Sequence, residues 1–150
     1  MSERLDGSRL SLAIVVARFN EHITSRLLAG AVEATERLGI ARPEVHWVPG
    51  SFEAPVAAKA LAGGGRFDAV VCLGAVIRHE TDHYLHVATQ AASGIMRAQM
   101  ETGVPCTFGV LTCDTEAQAL ERSGDKRNVG ADAAEAAVEM ALLLRGIQGK

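Results

Sequence analysis

The chain has 150 residues, of which 48% are hydrophobic and 22% are charged, and its formal net charge is −3. This length favours a single domain spanning residues 1–150, with a sizeable core. The small acidic charge excludes a bulk attraction to nucleic acid or to an anionic membrane, so we expect neither as a partner. The high apolar content has two explanations: some surface is buried between copies of the chain, or the chain simply has an alanine-rich α/β core.

The first ten residues lack the apolar centre of a signal peptide, and no apolar run reaches the length of a membrane span. Cys72, Cys106 and Cys113 lie in or beside apolar runs and form no C-x-x-C pair, which is typical of reduced core cysteines. We therefore expect a cytoplasmic protein, with residues 1–9 as a flexible N-terminal segment.

Strand-like and helix-like segments alternate along the chain, a pattern that predicts a three-layer α/β/α domain with a four-stranded parallel sheet. The predicted strands are 10–17, 44–48, a third that ends at 77, and 106–111. Five helices are predicted. The first three are 21–38, 54–61 with its start at Ser51, and a third from about 82 or 83 to 101. A short fourth helix is capped by Thr115 and Gln118 and ended by Gly124, and the last helix is 130–144.

Four loops follow the carboxyl ends of these strands, where ligands of parallel sheets bind. They are residues 18–20, 49–53, 78–83 and 112–114. Phe19 and Phe52, two of only four phenylalanines, each stand just past a strand rather than inside one. A single loop phenylalanine is usually local packing, but two at one edge favour an aromatic platform for a flat ring.

The segment His79-Glu80-Thr81-Asp82-His83 has two interpretations. Taken literally it is the zinc-hydrolase pattern H-E-x-x-H, which requires both histidines on one face of a helix. The preceding run 67–77 is typical of a buried strand, however, and Thr81 and Asp82 are good helix N-caps. We therefore expect His79 in a loop and His83 alone at the helix start, with a zinc hydrolase as the less favoured alternative.

Seven segments of the chain form an ordered set of motifs. They are 17–20 (Ala-Arg-Phe-Asn), 48–55 (Val-Pro-Gly-Ser-Phe-Glu-Ala-Pro), 74–78 (Gly-Ala-Val-Ile-Arg), Thr81-x-His83-Tyr84, 102–105 (Thr-Gly-Val-Pro), 108–112 (Phe-Gly-Val-Leu-Thr) and Glu121-Arg122-x-Gly124. In their order and spacing they resemble the lumazine synthase family over residues 10–144.

The resemblance implies a flavodoxin-like fold and the penultimate step of riboflavin biosynthesis. In that step 5-amino-6-(D-ribitylamino)uracil condenses with 3,4-dihydroxy-2-butanone 4-phosphate to give 6,7-dimethyl-8-ribityllumazine, water and phosphate, without a metal or organic cofactor. It also implies a homo-oligomer, either a pentamer or an assembly of pentamers up to an icosahedral shell, with active sites between subunits.

The resemblance also implies roles for individual residues. Phe19 stacks on the pyrimidine, and His83 shuttles protons as the catalytic residue. The other residues that hold the pyrimidine and its ribityl chain are Asn20, Ser51, Phe52, Glu53, Val76 and Ile77. The phosphate is bound by the amides of Glu80 and Thr81 and by Arg122, and both Arg122 and Phe108 come from the neighbouring subunit.

Two departures from the family pattern leave questions open. His79 stands where the family usually has glycine, and the loop 124–130 is one residue shorter than usual. Lys126 or Arg127 can substitute for the family's second loop lysine. An alternative of another class is a flavin- or lumazine-binding shell scaffold without catalysis, although such a scaffold has no need of His83 or Arg122.

Overall fold

The computed structural model describes residues 5–78 and 83–150. The strands are β1 (Leu12–Ala17), β2 (Glu44–Val48), β3 (Ala69–Ile77) and β4 (Cys106–Cys113). The α-helices are α1 (Glu21–Arg37), α2 (Ala54–Gly63), α3 (His83–Thr102), α4 (Glu116–Glu121) and α5 (Val129–Gln148). One turn of 3₁₀ helix, Ser51–Glu53, leads directly into α2.

The four strands form one parallel sheet in the order β2-β1-β3-β4. Helices α1 and α5 cover one face, while α2 and α3 cover the other. The predicted three-layer α/β/α, flavodoxin-like class is therefore confirmed. Because the strands are parallel, their carboxyl ends meet at one edge of the sheet.

Strand β1 shows why the apolar runs are continuous rather than alternating. Leu12, Ile14 and Val16 belong to the core on the α1 and α5 side. Ala13, Val15 and Ala17 belong to the core on the α2 and α3 side. All six residues are buried, as expected for a strand that is covered on both faces.

Two strand boundaries differ from the prediction. The first strand begins at Leu12 rather than at position 10, because the N–H of Leu10 donates to the Gly7 carbonyl in a turn. Leu10 is still buried, so its apolar character reflects core packing outside the strand. Strand β4 continues past position 111 because β3 still pairs with it as far as Ile77 and Cys113.

The helix termini follow local capping chemistry. Gly39 and Gly103, which follow the ends of α1 and α3, have φ of 87° and 72°, a conformation that glycine adopts freely. The predicted capping box at α4 is present, with both Thr115 and Gln118 taking part. Helix α4 ends at Glu121, before the predicted stop at Gly124, and α5 is longer than predicted at both ends.

Residues 5–9 run beside the end of α1, where the N–H of Gly7 donates to the Leu38 carbonyl at 2.8 Å. The flexibility of residues 1–9 and the single-domain organisation remain predictions. No helix in the described ranges combines the length and apolar character that a membrane crossing requires.

Candidate active site

A cleft of about 560 Å³ opens at the carboxyl edge of the sheet, a volume within the range of small-molecule sites. It lies between the loops that follow β1 and β2, the end of β3 and the first turn of α3. Its lining residues are Phe19, Pro49, Gly50, Ser51, Phe52, Glu53, Ala75, Val76, Ile77, His83, Tyr84, His86 and Val87.

The two loop phenylalanines border this same cleft although they lie 33 positions apart in the sequence. Phe19 is 64% exposed and Phe52 is 56% exposed, so neither ring is absorbed into the core of this chain. Large aromatic surfaces left open in a cleft are suited to contact with a flat ring.

The Phe19 loop is fixed by its backbone and by the next side chain. The N–H of Phe19 donates to the Pro49 carbonyl at 3.0 Å, which joins the loops that follow β1 and β2. Asn20 donates from Nδ2 to the Ala75 carbonyl at 2.8 Å, so this predicted substrate contact already has a partner within the protein.

The turn after β2 brings three predicted residues to the cleft. Ser51 is buried and packs against Gly74 of β3, while the exposed side chain of Phe52 borders the cleft. The N–H of Glu53 donates to the Gly50 carbonyl at 3.1 Å, which closes the turn. Val76 and Ile77 complete the wall of the cleft from β3.

The first turn of α3 contributes residues that the sequence interpretation did not single out. His83 was a candidate, but His86 and Val87 also line the cleft. They are three and four positions after His83, a spacing that places side chains on one face of a helix. Because the helix and His83 were both predicted, this spacing was the signal that could have found them.

Comparison with known proteins identifies the family of this chain. Residues 9–145 match the family model described as 6,7-dimethyl-8-ribityllumazine synthase. The chain is 51% identical over 149 residues to the 6,7-dimethyl-8-ribityllumazine synthase of Gloeobacter violaceus. The aligned region covers 95% of this chain and 83% of that protein. The chain belongs to the 6,7-dimethyl-8-ribityllumazine synthase family.

Two of the predicted substrate contacts lie away from this cleft. Phe108 is on the edge strand β4 and is 41% exposed, and Arg122 caps the end of α4, where its Nη1 donates to the Gln118 carbonyl at 3.0 Å. Neither residue lines the cleft of its own chain. Glu80 and Thr81, the predicted phosphate contacts, lie outside the described residues, as does His79.

A second cleft, of about 770 Å³, lies between α1, α5 and the loop that joins α4 to α5. Lys126 and Arg127, the two candidates for the family's second loop lysine, line this second cleft rather than the first. Its wall carries acidic side chains as well, among them Glu33 and Asp132, so it has no single-sign field that would select an anion.

The described residues form no candidate metal centre. Within the ranges 5–78 and 83–150 there is no group of three or more His, Cys, Asp or Glu placed to hold a metal ion. The first histidine of the zinc pattern lies outside those ranges, so family membership is what favours the synthase interpretation over the zinc one.

All three cysteines are free and buried. Burial raises the pKa of Cys106 to about 11 and also raises the pKa of Cys72. Burial raises the pKa of Cys113 as well, although nearby Arg122 opposes that shift. These thiols are therefore protonated at neutral pH, which is typical of core cysteines rather than of nucleophiles.

Proposed function

We propose that this chain condenses 5-amino-6-(D-ribitylamino)uracil with 3,4-dihydroxy-2-butanone 4-phosphate to give 6,7-dimethyl-8-ribityllumazine, phosphate and water. It is a transferase of riboflavin biosynthesis. The observation that carries the proposal is one cleft that joins two open phenylalanine rings, a buried serine and a helix-terminal histidine in a chain of this family.

Phe19 stacks on the pyrimidine of the first substrate, and Val76 and Ile77 line the same pocket. Ser51, Phe52 and Glu53 hold the ribityl chain and the polar edge of the ring. The support is that all six line the cleft and that the hydroxyl and carboxylate can bond to ribityl hydroxyls. Asn20 supports the same subsite by its bond to Ala75.

The reaction begins when the aromatic amine of the pyrimidine attacks the ketone of the second substrate, and loss of water gives a Schiff base. Elimination of phosphate leaves an enol, which tautomerises to a ketone at the adjacent carbon. The ribityl-bearing nitrogen attacks this second carbonyl, and loss of a second water closes the ring. Holding both reactants in one cleft supplies about 7–11 kcal/mol of the barrier reduction in well-oriented cases. This positioning is the larger part of the catalysis we propose.

His83 shuttles the protons that these steps require. Its ring lines the cleft at the first turn of α3, where a general acid and base can reach a bound substrate. Such a group contributes typically about 10²–10⁴-fold. The amides of Glu80 and Thr81, which precede this helix, bind the phosphate, since the N-terminal end of a helix offers unpaired N–H donors.

Arg122 and Phe108 complete the site of a neighbouring copy, and the assembly is built from pentamers. Their position away from the chain's own cleft supports this sharing. A guanidinium can hold phosphate with two parallel hydrogen bonds.

Exposed apolar side chains on α3 and α5, including Leu85 (57%), Met100 (74%) and Ile147 (71%), supply surface for subunit contacts. The free thiols support a cytoplasmic location, where such groups stay reduced.

The test of this function is the stoichiometry of two products. With both substrates present, lumazine and inorganic phosphate should form in equal amounts, and neither should form at that rate when either substrate is omitted. Tight binding of the pyrimidine or of lumazine without any turnover would instead identify a binding scaffold and contradict the proposal.

A further inference from the structure

Strand β3 extends beyond its partner β1 at the cleft. The last paired residues of the two strands are Val16 and Leu73, whereas β3 continues to Ile77. Ala75 therefore lies where no residue of β1 is paired with it. The Asn20 side chain supplies a hydrogen-bond donor at this position instead of β1, since its Nδ2 donates to the Ala75 carbonyl at 2.8 Å. The bond joins the loop that carries Phe19 to the strand that forms the cleft wall.

Asn20 also has an unusual backbone conformation. Its φ of 62° and ψ of 44° are left-handed, and it is the only non-glycine residue with positive φ within residues 5–78 and 83–150. Asparagine tolerates this region better than most residues, but glycine is the residue that adopts it freely. Strained backbone of this kind is found where the surrounding structure needs it, often at functional sites.

Two requirements thus meet at one position. A left-handed residue is needed to turn the chain from Phe19 into α1, and a side-chain donor is needed for the Ala75 carbonyl. Glycine satisfies the first requirement only. Aspartate resembles asparagine in shape, but its carboxylate only accepts hydrogen bonds and would face the carbonyl oxygen.

We infer that Asn20 is a positioning residue that sets the place of the Phe19 ring, rather than a ligand of the substrate. This inference rests on the proposed function, in which Phe19 stacks on the pyrimidine. The Phe19 ring is 64% exposed, so its own packing does little to hold it. Its place depends on the Phe19 N–H bond to Pro49 and on the Asn20 bond to Ala75.

The experiment is a double-mutant cycle on the binding of 5-amino-6-(D-ribitylamino)uracil, measured by calorimetry. The chains are the unmodified protein, Asn20→Asp, Phe19→Ala and the double variant. Asn20→Asp loses one hydrogen bond, so its Kd should be about five- to tenfold higher than that of the unmodified chain. In the Phe19→Ala background the same change should alter the Kd by less than about twofold, because the ring that Asn20 positions is gone.

An equal loss in both backgrounds would show a direct contact with the substrate and overturn the inference, as would an unchanged Kd for Asn20→Asp. Asn20→Gly keeps the left-handed turn without the repulsion, so it serves the same cycle if the aspartate variant does not fold. Thermal unfolding of each variant separates a general loss of structure from a local one.

Lumazine formation by the same preparations separates a failure of the proposed synthase activity from a failure of the inference about Asn20. An unmodified chain that binds the pyrimidine but makes no lumazine would contradict the proposed function. The double-mutant cycle on binding would still test whether Asn20 positions Phe19.

Discussion

Ser51 lies directly against Gly74, so closely that a methyl group at position 74 would overlap the Ser51 hydroxyl oxygen. Ser51 is 5% exposed, and it begins the turn that carries Phe52 and Glu53 into the cleft. The absence of a side chain at Gly74 is therefore what allows this turn to rest on β3.

Gly74→Ala should displace the turn and weaken pyrimidine binding. Overpacking of this kind costs about 1–3 kcal/mol of folding free energy, and the free energy of unfolding and the Kd both report it. Adding Ser51→Ala should restore much of the unfolding free energy, because the overlapping oxygen is removed.

Gly146→Ala is the matched control, since a methyl group there would meet no atom within 4 Å among residues 5–78 and 83–150, apart from its own stretch of helix. Gly146 lies in the last turn of α5, so alanine there should be neutral or stabilise the chain by at most about 0.5–1 kcal/mol. Equal effects of the two glycine substitutions would contradict the close packing described for Gly74.

The architecture could be predicted well from the sequence because its signals are local. Strand β2 was predicted at 44–48, the bounds that it has in the structure. The α4 capping box needed only the spacing of Thr115 and Gln118. Strand β4 was predicted too short because its last residues are ordered by pairing with β3, which no local pattern reveals.

The candidate site was less accessible to sequence reasoning. Loop order placed Phe19 and Phe52 at one edge, and the cleft contains both. The bond from Asn20 to Ala75 spans 55 positions, so only the folded chain shows that this side chain is already engaged. The roles of Phe108 and Arg122 depend on a second copy of the chain and remain predictions.

His83→Ala should lower kcat by about 10²–10⁴-fold, the contribution typical of a general acid–base group. The reaction should still exceed the spontaneous rate, because the cleft continues to hold both substrates together. His86→Ala is the control, since His86 lines the same cleft one helical turn later. Its effect should be much smaller. Complete loss of activity in a folded, assembled His83→Ala protein would refute the shuttle role.

Mixed assemblies should reveal whether the site is shared between copies. Phe19→Ala and Arg122→Ala chains, each weakly active alone, should regain activity when assembled together. The physical reason is that some sites then combine an intact Phe19 with an intact Arg122 from the neighbouring copy. The rate per chain in the mixture, compared with the mean of the two separate proteins, is the measurement.

Phe19→Ala mixed with His83→Ala provides the control for this prediction, because both residues line the cleft of one chain. No activity should be regained in that mixture. If the Arg122→Ala mixture behaved in the same way, Arg122 would not act across the subunit boundary.

Thr24→Val should stabilise the protein by about 1 kcal/mol. The Thr24 hydroxyl is buried in α1 without a hydrogen-bond partner among the described residues, and burying an unsatisfied polar group is unfavourable. Valine has nearly the same shape and a similar helix propensity. Urea unfolding measures the change.

Thr35→Val is the matched control within the same helix. Thr35 is equally buried, but its Oγ1 donates to the Val32 carbonyl at 2.8 Å. That substitution removes a hydrogen bond and should not stabilise the chain. A stabilisation by both substitutions would indicate a general preference for valine in α1 rather than relief of one unpaired hydroxyl.

The most direct test of the central claim is the rate of lumazine formation from the two substrates, followed by fluorescence in the presence of a metal chelator. The unmodified chain should exceed the spontaneous rate by a wide margin, and Phe19→Ala should lose much of that advantage. A folded, assembled protein that gives no enhancement over the spontaneous reaction would contradict the synthase function, and an enhancement that the chelator abolishes would contradict the metal-free mechanism.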